Sequence, residues 1–200
     1  MPGGGGKRMK VGVLALQGDF IEHQTMLARL GVEPVQVRLP QDMEGLDALI
    51  IPGGESTTIG KLAESFGLME PLRQFGQRHP IWGTCAGAIF LSKDARRPQP
   101  LLGIMDIRVA RNAFGRQINS FEIDLDMPFL PSSNGHSAPF HTVFIRAPLI
   151  ESVFGNAQAL VTLPDGSIVA ARQGRLLATS FHPELTVDDR FHRYFLEMAK

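Results

Sequence analysis

Short apolar segments alternate with amphipathic ones along the first half of the chain. The apolar segments predicted as strands are Val11–Leu16, Val35–Arg38, Ala48–Ile51 and Ile81–Thr84. The segments with helical periodicity are Asp19–Leu30, Thr57–Phe66 and Met69–Arg78. Strands that alternate with helices form right-handed βαβ units. The pattern therefore predicts an α/β fold in which a mostly parallel sheet is covered by helices on both faces.

The second half of the chain has many short apolar segments and few long helices. The predicted strands are Ile104–Ala110, Phe121–Leu125, His141–Ile145, Ala159–Leu163, Ser167–Arg172 and Leu176–Thr179. The tripeptide Pro164-Asp165-Gly166 is typical of a hairpin turn, and Arg190–Met198 is predicted to form a closing helix. We therefore expect additional antiparallel strands in this half.

The chain has 200 residues, which suits one domain, although length alone would also permit two small ones. It contains no internal repeat and no long linker. We predict a single domain over residues 9–200, preceded by a flexible leader over residues 1–8 (MPGGGGKR). Polar residues around Ser132–Ser137 predict an exposed loop.

Charge and cysteine content restrict the class of protein. The 20 basic and 20 acidic residues give a formal net charge of zero, which does not provide the basic field that nucleic acid or an anionic membrane attracts. The apolar run Val11–Leu16 is too short to span a membrane. A single cysteine cannot form an intramolecular disulfide, which fits a reducing compartment. These features predict a cytoplasmic protein without nucleic-acid or membrane partners.

The only cysteine, Cys85, lies between glycines at a predicted strand-to-helix junction. The segment Gly83–Gly87 (GTCAG) follows the predicted strand Ile81–Thr84 and opens a predicted helical run, Ala86–Leu91. This is the pattern of a nucleophile elbow, in which glycines permit close packing and the nucleophile has a strained backbone. A helix start favours thiolate over thiol. A buried structural cysteine is the alternative interpretation.

A thiol nucleophile requires a base, and the base requires a group that orients it. Among the six histidines, His182 stands out because it follows a predicted strand and precedes Pro183 and Glu184. Proline favours an extended backbone at His182, and alternation then places residues 182 and 184 on the same side. Glu184 could then accept the Nδ1 proton, leaving Nε2 to face Cys85. A surface His-Pro-Glu turn is the alternative.

A glycine pair follows the predicted strand Ala48–Ile51 in the segment Pro52–Ser56 (PGGES) and opens a helix. Backbone N–H groups at such a turn can bind an anion or a developing oxyanion. Many turns of this kind only cap a helix through a serine or threonine, so the segment is informative mainly in combination with Cys85 and His182.

Five segments together form a specific set. They are Leu14–Gly18 (LALQG), Pro52–Thr57 (PGGEST), Gly83–Gly87 (GTCAG), Arg111–Gln117 (RNAFGRQ) and Phe181–Leu185 (FHPEL). With these segments, the chain from about Met9 to its end resembles the class I, or triad, glutamine amidotransferases. Within that class it is most similar to the glutaminase subunits of pyridoxal 5′-phosphate synthases. The resemblance implies a three-layer, flavodoxin-like fold.

The resemblance also implies roles for individual residues. Cys85 would attack the amide carbon of glutamine, and His182, oriented by Glu184, would protonate the departing ammonia. The N–H groups of Gly54 and Ala86 would stabilise the oxyanion. The glutamine-binding positions implied in this way are Gly53, Gly54, Glu55, Arg111, Ile145 and Arg146. Without the resemblance, both arginines would be interpreted as ordinary surface residues. The resemblance implies no cofactor and no metal.

The implied partners are L-glutamine and a synthase subunit that uses the released ammonia to build pyridoxal 5′-phosphate, in a hetero-oligomeric complex. Two alternatives stay open. The chain could supply ammonia to another pathway, such as imidazole glycerol phosphate synthesis, although the Arg111–Gln117 segment argues against this. It could also be a catalytically silent module with the same fold, although the set of Cys85, His182 and Glu184 argues against that.

Overall fold

The computed structural model describes residues 8–111, 120–132 and 138–200. Its strands are β1 (Lys10–Leu14), β2 (Glu33–Val37), β3 (Ala48–Ile51), β4 (Ile81–Thr84), β5 (Ser92–Asp94), β6 (Met105–Ala110), β7 (Ser120–Leu125), β8 (Phe140–Ile145), β9 (Leu149–Val153), β10 (Gln158–Thr162), β11 (Ile168–Gln173) and β12 (Leu176–Thr179). Its α-helices are α1 (Phe20–Arg29), α2 (Ser56–Ser65), α3 (Met69–Arg78), α4 (Ala86–Leu91) and α5 (Arg190–Glu197). Short 3-10 helices lie at Pro40–Met43 and Pro183–Leu185.

Ten strands form one sheet, in the order β2-β1-β3-β4-β12-β11-β9-β6-β5, with β10 paired to β11. The pairs among β1 to β4, and the pair of β4 with β12, are parallel. Strand β11 is antiparallel to β9, β10 and β12, and β7 pairs with β8 in a separate antiparallel ribbon. The predicted fold class is confirmed: the first half of the chain gives a parallel sheet, and the second half adds antiparallel strands.

The centre of the sheet is buried on both faces, since every residue of β3 and β4 is buried. Leu49 and Ile51 of β3 pack in one apolar cluster with residues of α2, α3 and α4. Ala48 and Ile50 point to the opposite face, where they pack with residues of α1 and α5. The predicted coverage by helices on both faces is therefore confirmed.

Most predicted elements are present, with ends that shift by one or two residues. Strands β3, β4 and β12 and helix α3 have the predicted bounds. The predicted hairpin turn is also confirmed, because β10 and β11 are antiparallel neighbours and Gly166, at φ 87°, donates to the carbonyl of Leu163 at 2.9 Å. Two strands were not predicted, β5 and β9, because each is short and carries charged residues.

Several sequence predictions lie wholly or mainly outside the described residues. These are the leader at residues 1–8, of which Arg8 alone is described, the loop around Ser132–Ser137, and the segment Arg111–Gln117 after Arg111. Within the described ranges, no helix is both long enough and apolar enough to cross a membrane.

Candidate active site

Cys85 forms the junction between β4 and α4 in a strained backbone conformation. Its φ of 50° and ψ of −108° place it in a region that residues with a side chain rarely adopt. Such a conformation costs about 1–3 kcal/mol and persists only where the surrounding structure enforces it. A Cβ atom on Gly83 would lie 2.4 Å from the carbonyl oxygen of Gly87, and one on Gly87 would lie 2.1 Å from that of Ile51. The predicted strained turn between strand and helix and the reason for its glycines are confirmed.

The parallel pair of β4 and β12 brings His182 to the same sheet edge as Cys85. Thr84 and Thr179, the last residues of the two strands, are register partners. The backbone N–H of Cys85 donates to the carbonyl of Thr179 at 2.8 Å. The chain leaves β12 three residues before His182, whose own N–H donates to the carbonyl of Val143 on β8 at 2.9 Å. The carboxyl end of the sheet thus positions both side chains.

His182 and Glu184 form a close pair. Nδ1 of His182 lies 2.6 Å from Oε1 of Glu184, and the two residues are 4% and 7% exposed. The expected extended backbone stops at His182, because Pro183–Leu185 form a 3-10 helix. That part of the prediction is wrong: a tight turn, rather than strand alternation, brings the carboxylate back to the imidazole.

The environment of His182 favours its protonated form. Burial opposes protonation, but hydrogen bonding and the negative charges of Cys85 and Glu184 outweigh burial and raise the pKa of His182 to about 10. Burial raises the pKa of Glu184, while the hydrogen bond and the charge of His182 act in the opposite direction. An imidazolium facing the Cys85 sulfur at neutral pH is suited to a thiolate nucleophile and to protonation of a leaving group.

The Gly53-Gly54 turn packs against the loop that follows β1. The N–H of Asp19 donates to the carbonyl of Gly53 at 3.1 Å, and Oε1 of Gln17 accepts the N–H of Glu55 at 2.8 Å. Gly54 has a φ of 150°, and a Cβ there would lie 2.3 Å from Oε1 of Gln17. Gln17 and Asp19 are thus site residues for which the sequence offered no role, although Gln17 belongs to the LALQG segment.

Glu55 caps helix α2 and also pairs with Arg111. Its carboxylate accepts the backbone N–H groups of Thr57 and Thr58, and its Oε1 lies 2.8 Å from Nη2 of Arg111. Burial opposes ionisation, but hydrogen bonds from Thr58 and Thr57 and the charge of Arg111 lower the pKa of Glu55 to about 2. The expected glutamine-binding position Glu55 is therefore an ionised helix cap that holds Arg111 in place.

Most of the candidate residues line one cavity of about 450 Å³. Those that line it are Gly54, Glu55, Cys85, Ala86, Arg111, Ile145, Arg146 and His182. Glu184 lies behind His182, and Gly53 contacts the His182 ring, where a Cβ would be 2.8 Å from Cε1. Arg146 enters the wall with a φ of 42°. Residues far apart in the sequence thus surround Cys85.

A group of three side chains near Cys85 has the spacing of metal ligands. One atom each of Asp19, His182 and Glu184 lies within 4.8 Å of the others. Nδ1 of His182 already bonds Glu184 and lies 3.9 Å from Oδ2 of Asp19. A cation would compete with a proton on the same nitrogen, so the contacts fit a protonated imidazole better than a metal centre.

In the comparison with known proteins, the matched part of the chain includes all the site residues described above. Residues 13–200 match the SNO glutamine amidotransferase family. The pyridoxal 5′-phosphate synthase subunit PdxT of Herpetosiphon aurantiacus is 58% identical, over 94% of this chain and 99% of that protein. PdxT of Roseiflexus sp. is 54% identical, over 95% of this chain and 100% of the relative.

Solved structures agree with this match. A crystal structure of a glutamine amidotransferase is 51% identical, with a TM-score of 0.87 over 94% of this chain and 98% of that one. A putative GMP synthase protein from Thermoplasma acidophilum, 18% identical with a TM-score of 0.67 over 98% of this chain and 96% of that one, shares the fold. The chain belongs to the SNO glutamine amidotransferase family.

Proposed function

We propose that the chain hydrolyses L-glutamine to L-glutamate and ammonia, with Cys85 as the nucleophile and His182 and Glu184 as its partners. One observation carries the proposal: Cys85 lies in a strained elbow on the wall of a cavity, facing an imidazole that Glu184 holds at 2.6 Å. A buried structural cysteine requires neither the strain nor the buried histidine–carboxylate pair.

In the first step, the thiolate of Cys85 attacks the side-chain amide carbon of glutamine and forms a tetrahedral intermediate. The C–N bond then breaks, and the departing nitrogen takes a proton from Nε2 of His182 to leave as ammonia. A γ-glutamyl thioester stays on Cys85. Glu184 keeps the proton on Nδ1 and stabilises the imidazolium before this transfer.

In the second step, water attacks the thioester carbonyl and gives its proton to Nε2 of His182. The carbon–sulfur bond breaks, glutamate leaves, and Cys85 returns to the thiolate. The sum is glutamine plus water giving glutamate plus ammonia, so the residues of this chain suffice and the step requires no cofactor.

The backbone N–H groups of Gly54 and Ala86 are the proposed donors to the oxyanion. Ala86 is the first residue of α4, where backbone N–H groups have no acceptor within the helix, and it lines the cavity beside Cys85. Gly54 occupies a glycine-specific φ of 150° and has no side chain to obstruct a change of backbone angle, so reorientation of its peptide costs mainly the bond from the N–H of Asp19 to the carbonyl of Gly53. We propose that binding of the partner subunit reorients this peptide and completes the oxyanion site.

Charged groups at the cavity wall are the proposed substrate contacts. Arg111 and Arg146 can bind the substrate's α-carboxylate, and Glu55 orients Arg111. The backbones of Gly53 and Gly54 and the side chain of Ile145 complete the proposed glutamine-binding set.

The ammonia is proposed to pass to the synthase subunit of a pyridoxal 5′-phosphate synthase. The support is the similarity to PdxT proteins, which are named as subunits of that enzyme, over nearly the full length of both chains.

We further propose that residues 9–200 act as one amidotransferase domain after a leader at residues 1–8. A cytoplasmic location fits the single cysteine.

Substitution of Arg111 is expected to weaken glutamine binding. For Arg111→Gln we predict a KM for glutamine about tenfold higher, with kcat within about twofold of the wild type, because a contact made in both ground and transition states is lost. Steady-state ammonia release measures both constants. Arg108→Gln is the matched control: Arg108 lies on β6, three residues before Arg111, and pairs with Asp94 at 2.7 Å outside the cavity, so both constants should stay unchanged. An unchanged KM in Arg111→Gln would remove Arg111 from the binding set.

The function is tested by assaying glutamine hydrolysis with and without a pyridoxal 5′-phosphate synthase subunit. We expect slow hydrolysis alone and at least about tenfold stimulation by the synthase, because closure of the oxyanion site contributes to the rate. Stimulation by an imidazole glycerol phosphate synthase subunit instead would assign the ammonia to another pathway. Absence of hydrolysis with every partner would indicate a silent module.

A further inference from the structure

Two completely buried histidines lie behind the pair of His182 and Glu184. His23 on α1 and His192 on α5 are both 0% exposed. Nδ1 of His23 lies 3.0 Å from Nε2 of His192, and Nε2 of His23 lies 3.2 Å from the hydroxyl of Thr84. Neither histidine is among the residues that line the cavity, and packing alone does not explain this buried polar contact.

His23 reaches the oxygen of Glu184 that His182 does not use. Nε2 of His23 is 3.4 Å from Oε2 of Glu184, while Oε1 of Glu184 bonds His182. Within the described part of the chain, Oε2 accepts no hydrogen bond, so the approach of His23 at 3.4 Å is a close polar contact that is not aligned as a hydrogen bond. A buried carboxylate oxygen is strongly stabilised by a donor, and His23 is the side chain placed to provide one.

Burial keeps both histidines neutral. Burial is the main cause that lowers the pKa of His23 well below its ordinary value, and the electrostatic interactions with His192 and His182 act in the same direction. Burial also lowers the pKa of His192 to about 3, against the opposing charge of Asp189. Each ring therefore carries one N–H at neutral pH, and its position is decided by the neighbouring atoms.

Nδ1 of His192 and Oε2 of Glu184 indicate the same tautomer of His23. Nδ1 of His192 has no hydrogen-bond partner among the described residues. A buried N–H without an acceptor is rarer than an unused lone pair, so the proton of His192 lies on Nε2 and is donated to His23. His23 must then carry its proton on Nε2, which bonds the hydroxyl of Thr84 at 3.2 Å and lies 3.4 Å from Oε2 of Glu184. The alternative tautomer would face the carboxylate with a lone pair.

We propose that His23 is a positioning residue for glutamine hydrolysis: its Nε2–H holds Oε2 of Glu184, so that Oε1 stays on Nδ1 of His182. The inference rests on the proposed function. His192 contributes by fixing the tautomer of His23. Because His23 lies outside the cavity, its loss should lower kcat and leave the KM for glutamine unchanged.

A pair of similar substitutions separates this role from packing. In His23→Gln, the side-chain amide N–H can take the place of Nε2, whereas in His23→Asn the shorter amide reaches only the place of Nδ1. With the synthase subunit present, we expect His23→Asn to lower kcat about tenfold with KM within about twofold, since small misplacements of a catalytic group reduce rates by such factors. His23→Gln should keep at least about half of the wild-type kcat. Thermal unfolding of both variants checks folding.

The tautomer is measured separately by NMR of the ring nitrogens in wild-type protein labelled with ¹⁵N-histidine, with His23 assigned from the variants. We expect His23 protonated at Nε2; protonation at Nδ1 would overturn the inference even if a variant does not fold. Equal kcat losses in the two variants, or none in either, would also overturn it. A wild-type enzyme that releases no ammonia refutes the proposed function instead, and the NMR result then decides the role of His23 by itself.

Discussion

Replacing Cys85 with serine should reduce ammonia release from glutamine by about 10⁴-fold or more, since losing the nucleophile of a catalytic triad has effects of this size. A hydroxyl requires a base to accept its proton. Steady-state assays with the synthase subunit present measure the loss.

The fold should survive this change, because serine differs from cysteine by one atom and Cys85 is already in its strained conformation. Thermal unfolding and synthase binding should therefore match the wild type, and Cys85→Ala should behave like Cys85→Ser. Retention of more than about a tenth of the wild-type kcat in either folded variant would be incompatible with covalent catalysis by Cys85.

Replacing Glu184 with glutamine should lower kcat by about 10²-fold or more, because an amide can neither stabilise the imidazolium nor fix the proton on Nδ1. The effect should depend on pH. Glu184 helps to raise the pKa of His182, so its removal lets His182 lose its proton at a lower pH. The deficit in kcat relative to the wild type should therefore grow as the pH rises from about 7 to 9.

A kcat profile over this pH range and NMR titration of His182 measure the two effects. Glu122→Gln is a suitable control, because Glu122 also contacts a histidine, His141, at 3.0 Å, but on the exposed β7–β8 ribbon. Its kcat profile should coincide with that of the wild type. A Glu184→Gln profile parallel to the wild type would mean that the charge of Glu184 does not control the protonation of His182.

Local chemistry explains what could be predicted from the sequence. Strands β3 and β4 have the predicted bounds because a strand buried on both faces is a short, mainly apolar segment without polar alternation. The strain at Cys85 was predictable because glycines at positions 83 and 87 indicate a turn too tight for side chains at those positions. His182 and Glu184 lie two residues apart, so their contact depends only on the local backbone and could be predicted. The turn that makes the contact differs from the expected extended backbone.

Features that depend on distant segments were not predictable in this way. Strand β9 is short, contains Glu151 and is a strand only because β6 and β11 flank it. Gln17 and Asp19 bond the Gly53-Gly54 turn, from which they are more than 30 residues away in the chain. His23 and His192 meet only because α1 and α5 cover the same face of the sheet. Single residues of these types carry no periodic or spacing signal.

The central claim is that Cys85 is the nucleophile that attacks glutamine, and a glutamine analogue that alkylates thiols tests it most directly. The analogue is incubated with the chain and the synthase subunit, and peptides are then analysed by mass spectrometry. We predict one adduct, on Cys85, with glutamine slowing its formation and none on Cys85→Ala. Wild-type protein that stays unmodified beside its partner, or an adduct on another residue, would contradict the account.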